Sequence, residues 1–151
     1  MTWKPHITTA VIVPREDRFL MVEEHSGGQV VFNQPAGHIE PGESIFAAAR
    51  RETLEETGWE VRLSYFLGLY TYLSPINNVT YFRFSFLAEA LHQATTTLDA
   101  DIIAAHWLSL DEIAERGDQL RSPLVLECIN DYIAGKRYPL DLIRQFHFPG
   151  A

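Results

Sequence analysis

Residues 37–59 read Gly37-His38-Ile39-Glu40-Pro41-Gly42-Glu43-Ser44-Ile45-Phe46-Ala47-Ala48-Ala49-Arg50-Arg51-Glu52-Thr53-Leu54-Glu55-Glu56-Thr57-Gly58-Trp59. The first part carries two glycines and a proline, and Pro35 precedes it. The span from Gln34 to Gly42 therefore holds too many breakers for a regular element. The second part is alanine-rich and predicts a helix from about Ser44 to Thr57, with Gly58 as its C-terminal stop. On such a helix, residues three and four apart share a face, so Glu52 lies beside Glu55 and Glu56. Three clustered carboxylates repel and call for a cation. Arg50 and Arg51 are candidates, and hard oxygen ligands grouped in this way also suit Mg²⁺ or Mn²⁺. A solvated acidic face is the plainer alternative. The glycine- and proline-bearing loop leading into the helix favours a site, because it places backbone groups beside the same carboxylates.

On the N-terminal side, Ile7 to Val13 and Arg18 to Glu24 are β-rich runs separated by the polar turn Pro14-Arg15-Glu16-Asp17. They predict a hairpin, and Gln29 to Asn33 predicts a short third strand. On the C-terminal side, Val61 to Leu73 and Val79 to Leu91 form a second hairpin around Ser74-Pro75-Ile76-Asn77-Asn78. A polar loop from Thr95 to Asp101 leads into a strand from Ile102 to Leu108. Ser109-Leu110-Asp111-Glu112 has the spacing of a capping box. Ser122-Pro123 reads as an N-cap followed by proline in the first turn, with Gly135 ending the helix. The apolar tail, Tyr138 to Phe148, is expected to pack on the domain. Interleaved hairpins and helices predict an α+β fold with helices packed on a mixed sheet.

The length, 151 residues, suits one domain spanning 1–151, and 46% hydrophobic residues is a globular composition. A net charge of −8 argues against long nucleic acid as a partner. The N-terminus lacks the order of a signal peptide, and no apolar run reaches the length of a membrane span. The expectation is a cytoplasmic protein with no membrane partner, monomeric for want of any feature that demands a dimer. Cys128, the single cysteine, sits in an apolar run and reads as a small buried hydrophobe.

The quoted stretch matches the Nudix box: Gly, five residues, Glu, seven residues, Arg-Glu, one hydrophobic position, one residue, Glu-Glu, one residue, Gly. The chain therefore resembles the Nudix hydrolase superfamily. Thr53 and Trp59 depart from the usual aliphatic residues, and both departures concern packing. Pro35-Ala36-Gly37 stands where Pro-Gly-Gly is common, and Phe32 where tryptophan is frequent. Lys4-Pro5-His6-Ile7-Thr8, Phe32 to His38, Leu120 to Val125 and Arg137-Tyr138-Pro139-Leu140 resemble the NudJ subgroup of bacterial phosphatases.

The resemblance implies an α/β/α sandwich with a central mixed β-sheet, and hydrolysis of a phosphoanhydride in a small phosphorylated metabolite. Mg²⁺, or Mn²⁺, is the implied cofactor. Glu52, Glu55 and Glu56 are the implied metal carboxylates, and the Gly37 carbonyl is a further ligand. Glu43 is expected to pair with Arg51, or to reach the metal through water. The general base stays open between Glu55, Glu56 and a distal acid, Asp99 or Asp101, with Asp101 carried as the distal candidate. His38, Phe32 and Arg83 are carried as candidate substrate contacts. The subgroup implies nucleoside di- and triphosphates and the pyrimidine pyrophosphate of thiamine synthesis as substrates. A nucleotide sugar, an oxidised nucleotide, or a non-catalytic ligand-binding module are the alternatives.

Overall fold

The computed structural model describes residues 2–149. Its elements are β1 (His6–Ile12), β2 (Pro14–Arg15), β3 (Arg18–Ser26), β4 (Gln29–Asn33), β5 (Ala36–His38), α1 (Ile45–Thr57), β6 (Trp59–Leu73), β7 (Thr80–Gln93), β8 (Ile102–Ser109), α2 (Leu110–Glu115) and α3 (Leu124–Ile133). One four-stranded sheet has the order β5-β1-β7-β6. It is mixed, because β1 and β7 run parallel while the outer pairs are antiparallel. The second sheet is antiparallel, with β3 between β4 and β8 and with β2 turning back onto the start of β3.

Side chains alternate across a strand, so a strand buried on both faces feeds two cores. That happens here. Ile12, Met21, Leu67 and Leu87 join Ile113, Val125 and Ile129 in a core under α2 and α3. Their neighbours Val11, Val13, Leu20, Phe66 and Phe86 join Ala49 in a second core under α1. The helices thus cover both faces, which is the expected sandwich.

Local signals place the helices. The Ser44 hydroxyl accepts the Ala47 amide at 3.0 Å and starts α1. Gly58 ends it in the left-handed region at φ 79°, with its N–H donating to the Leu54 carbonyl. At α2, Ser109 and Glu112 complete both halves of the capping box. The two box departures are resolved by packing. Thr53 is fully buried, and its hydroxyl donates to the Ala49 carbonyl at 2.8 Å. Trp59 meets Trp107 edge to face, and the Arg15 guanidinium lies 4.6 Å from each ring centroid.

Three expectations need correction. The runs Ile7 to Val13 and Arg18 to Glu24 do not form a hairpin with each other: β1 pairs with β5 and β7 in the first sheet, while β3 pairs with β2, β4 and β8 in the second, so the chain changes sheets at the turn between them. The stretch with too many breakers contains a strand after all, because β5 pairs its three residues with Ala10, Thr9 and Thr8 of β1. A ladder with a neighbouring strand overrides weak local propensity. The tail docks only in part. Tyr138 and Phe66 exchange backbone hydrogen bonds, and Leu140 and Ile143 pack on the core under α1, whereas Leu142 and Phe146 are exposed.

Phe86 is fully buried and meets Phe46 of α1 edge to face at 5.5 Å. Phe86→Ala should lower unfolding stability by about 3–5 kcal/mol, read as a reduced denaturation midpoint with an unchanged m-value. A loss below about 1 kcal/mol would show that the core under α1 collapses without cost.

Candidate active site

The loop, β5 and α1 meet on one guanidinium. Arg51 donates from Nε to Glu43 Oε2 at 2.6 Å and from Nη2 to Glu43 Oε1 at 2.9 Å, a fork-to-fork pair. Its Nη2 also donates to the His38 carbonyl at 3.0 Å. Nη1 reaches Glu52 Oε1 at 2.9 Å and Glu55 Oε2 at 3.1 Å. One side chain therefore joins the loop glutamate, the end of β5 and two of the three helix glutamates. The expected Glu43–Arg51 pair is present, and Arg51 holds the Glu43 carboxyl below its usual range.

Gly37 faces α1. A Cβ at this position would collide with the Glu52 carboxyl group. The glycine is there for space, since it lies in an ordinary strand register opposite Thr9. Glu56 turns inward, and its Oε1 accepts the Ala36 amide at 2.9 Å. Burial pushes its carboxyl up to about 9, with Glu24, Glu52 and Asp99 adding repulsion and the Ala36 amide opposing. Burial also raises Glu52, against the pull of Arg51.

A polar cavity of about 550 Å³ opens beside these residues, lined by Glu24, Glu56, Asp99, Asp101, Arg121 and the Ser26-Gly27-Gly28 turn, among others. The C-terminus of α1 brings one wall in, because the Glu55 carbonyl accepts the Asp99 amide at 3.0 Å. Of the two distal acids, Asp99 acts electrostatically on both Glu52 and Glu56, while Asp101 acts on Glu24. The donor set is oxygen-only and rich in carboxylates, which is the chemistry of a hard divalent cation. Among the described residues no three His, Cys, Asp or Glu side chains stand grouped as a ready cation shell. Arg51 occupies the space between Glu52 and Glu55, and Glu56 is bonded to β5.

Two of the three candidate contacts are buried, and the third is exposed. Phe32 is buried in the core under α2 and α3, with the Arg116 guanidinium 4.7 Å from its ring centroid, so packing leaves no free face for a ligand. Arg83 is 5% exposed, and its Nη2 donates to Asn33 Oδ1 at 3.1 Å and Gln34 Oε1 at 2.9 Å. It is a buried cation held by two amides, and it is not a surface phosphate contact. His38 is exposed, with its ring 2.9 Å from His6 Nδ1. The Glu24–Arg121 pair, at 2.7 Å, escaped the sequence reading. These residues lie 97 positions apart, and no local pattern marks either. Cys128 is fully buried, its Sγ is 3.5 Å from Ser85 Oγ, and burial raises its thiol.

A two-faced sheet carrying a glycine strand clamped to a helix of glutamates defines a Nudix-type hydrolase domain. The model for the NUDIX domain matches residues 4–128, and the chain belongs to that family. The phosphatase NudJ of Escherichia coli K12 is 42% identical over 149 residues, which is 97% of this chain and 95% of that protein. The phosphatase NudJ of Shigella flexneri matches equally. The structure of a NUDIX hydrolase from Nitrosomonas europaea superposes with a TM-score of 0.92 at 43% identity, covering 95% of this chain and 98% of that one. A UDP-X diphosphatase shares the fold, with a TM-score of 0.73 at 16% identity, covering 91% of this chain and 67% of that one. Nudix hydrolases act on small phosphorylated substrates and generally need a divalent metal. No helix among the described residues is long and apolar enough to cross a membrane.

Gly37→Ala should leave the fold near wild-type stability, because the atoms it meets end a flexible side chain. Turnover should fall by at least about tenfold, the equivalent of about 1.4 kcal/mol of transition-state stabilisation, because the Glu52 carboxylate is displaced. Near-normal turnover would show that the position of Glu52 is not critical. Cys128→Ala should keep wild-type turnover, with thermal denaturation as the check on folding. A collapse in rate in a folded variant would make the thiol chemical.

Proposed function

We propose that this chain hydrolyses a phosphoanhydride bond in a small nucleoside di- or triphosphate, or in the pyrimidine pyrophosphate of thiamine synthesis, with Mg²⁺ as cofactor. The observation that carries the reading is the Arg51 clamp, which gathers Glu43, Glu52 and Glu55 on the loop and helix that also carry the buried Glu56, a residue lining the polar cavity. The identity with NudJ phosphatases over nearly the whole chain supports the substrate class.

Glu52, Glu55 and Glu56 would hold the metal, with the Gly37 carbonyl as a further ligand. When bound, a divalent cation neutralises phosphate charge and lowers the pKa of water. The protein residues supply the rest. Glu56 must shed its proton to act as a ligand, and a second positive charge nearby favours that loss. Arg51 and Glu43 position the helix against the loop and do not contact substrate. The proton from the attacking water goes to an acid facing the cavity, Asp99 or Asp101, or to Glu55 within the box. A direct attack by water needs no covalent intermediate, in keeping with the inert setting of Cys128. A non-catalytic module would have no reason to retain a complete set of box carboxylates.

Phosphate release should be measured across nucleoside di- and triphosphates with Mg²⁺, and again with EDTA. EDTA should abolish hydrolysis. Glu56→Gln should lower kcat by at least about a hundredfold, or about 2.7 kcal/mol, with a wild-type melting temperature. Activity that survives both treatments would end the metal assignment.

A further inference from the structure

The cavity beside the box is lopsided. Glu24, Glu56, Asp99 and Asp101 face it, whereas Arg121 is its only lysine or arginine among the described residues. A diphosphate spans more than the box. Its phosphoryl groups carry several negative charges, and those beyond the box carboxylates need a second cation in a cavity otherwise lined by acids.

Arg121 is built to supply it. Its backbone is fixed, since its N–H donates to the Phe32 carbonyl at 2.9 Å, one residue before Ser122 accepts the Leu124 amide at the start of α3. Its side chain stays accessible, 44% exposed, and its Nη1 meets Glu24 Oε1 at 2.7 Å. One fork nitrogen is so engaged, which leaves the other donors of a planar guanidinium for a second acceptor. Glu24 is 8% exposed and sits at a bulge of β3, where the register with β8 shifts. Such bulges re-aim side chains. The buried Arg83 interacts electrostatically with both Arg121 and Glu56, and among the described residues its side-chain hydrogen bonds go to the amides of Asn33 and Gln34 and to no carboxylate, so its charge adds to the positive side.

We propose that Arg121 grips the substrate phosphoryl group lying farthest from the Nudix-box glutamates, with Glu24 as the counterion that orients its guanidinium. This inference rests on the hydrolase reading above, and it makes Arg121 a substrate-binding residue outside the box.

The test uses Arg121→Gln, Arg121→Lys and Glu24→Gln in the full chain. Binding of a methylene-bridged nucleoside diphosphate, which cannot be cleaved at the bridge, is followed by calorimetry with Mg²⁺. Loss of one charge-assisted contact should weaken binding of this probe by about ten- to a hundredfold in Arg121→Gln. KM for the matching diphosphate should rise in proportion, with kcat reduced far less. Arg121→Lys should recover part of the loss. Glu24→Gln keeps the guanidinium and loosens its orientation, so its probe affinity should fall clearly less than that of Arg121→Gln. Wild-type affinity in Arg121→Gln would overturn the proposal. So would equal losses in Arg121→Gln and Glu24→Gln, which would mark the pair as structural. Should Arg121→Gln fail to fold, Arg121→Lys decides alone: a KM and probe affinity equal to wild type would count against a directed fork. Failure of the wild-type enzyme to hydrolyse any nucleotide or the pyrimidine pyrophosphate would refute the functional reading instead, and the probe titration is read independently of turnover.

Discussion

A guanidinium that can satisfy five donors at once holds the site together. Arg51 makes hydrogen bonds to Glu43, Glu52, Glu55 and the His38 carbonyl, and every one of these partners belongs to the box. Without it, Glu52 and Glu55 would repel across one turn of α1, and the loop from Gln34 to Ser44 would lose its tie to the helix. An isolated surface ion pair contributes little. This cluster differs in kind, because its fork geometry is fixed on both sides and Glu43 and Glu52 are largely shielded from water. A lysine carries the charge without the fork, so the pattern demands arginine.

The clamp works only because the sheet beneath it is rigid on both faces. The alternation of Val11 with Ile12, and of Phe86 with Leu87, sends neighbouring side chains into two separate cores. β1 therefore cannot tilt toward α1 without disturbing α3. β5 is pinned to that strand, and Gly37 opposite Thr9 sets how near the helix can come. The stability invested in the two cores is what permits a destabilising group of acids at the edge between them.

The fold and the box were legible in the sequence for different reasons. The turn of the β6–β7 hairpin, the helix caps and the Ser109–Glu112 box are local devices, and their residues sit within a few positions of one another. The expected pairing of β1 with β3 failed because the β-rich pattern marks strands and does not say which sheet each joins. The Glu43–Arg51 pair was legible only through the resemblance to the Nudix box, because Glu43 lies in the loop before α1 and no helix spacing fixes it against Arg51. The strand at Ala36–His38 was hidden by its own glycine and prolines, since only the partner β1 makes it extended. Phe32 and Arg83 were misread because strand alternation gives the face of a side chain and says nothing of what covers that face. Arg116, from beyond α2, covers Phe32. The amides of Asn33 and Gln34 enclose Arg83, and Gln34 is itself oriented by donating to the Val125 carbonyl at 2.7 Å. Glu24 and Arg121 were beyond reach because their meeting depends on the second sheet and on the approach to α3 together.

The charge pattern links these features to chemistry. Burying Glu56 beside Glu24, Glu52 and Asp99 makes its ionised form costly, which is why its carboxyl stands at about 9 in the protein alone. The cost is not an accident of packing, since the Ala36 amide already stabilises the carboxylate and does not offset it. Only added positive charge can restore the ionised state near neutral pH. A chain with a net charge of −8 would repel phosphate at long range. On the hydrolase reading proposed above, the same excess of acid at one cavity would favour divalent cations, and a cation held there would offset that repulsion. On that reading, affinity for a phosphorylated substrate would depend on cation binding, because Glu24, Glu52, Glu56 and Asp99 already stand close enough to raise the cost of ionising Glu56 in the protein alone.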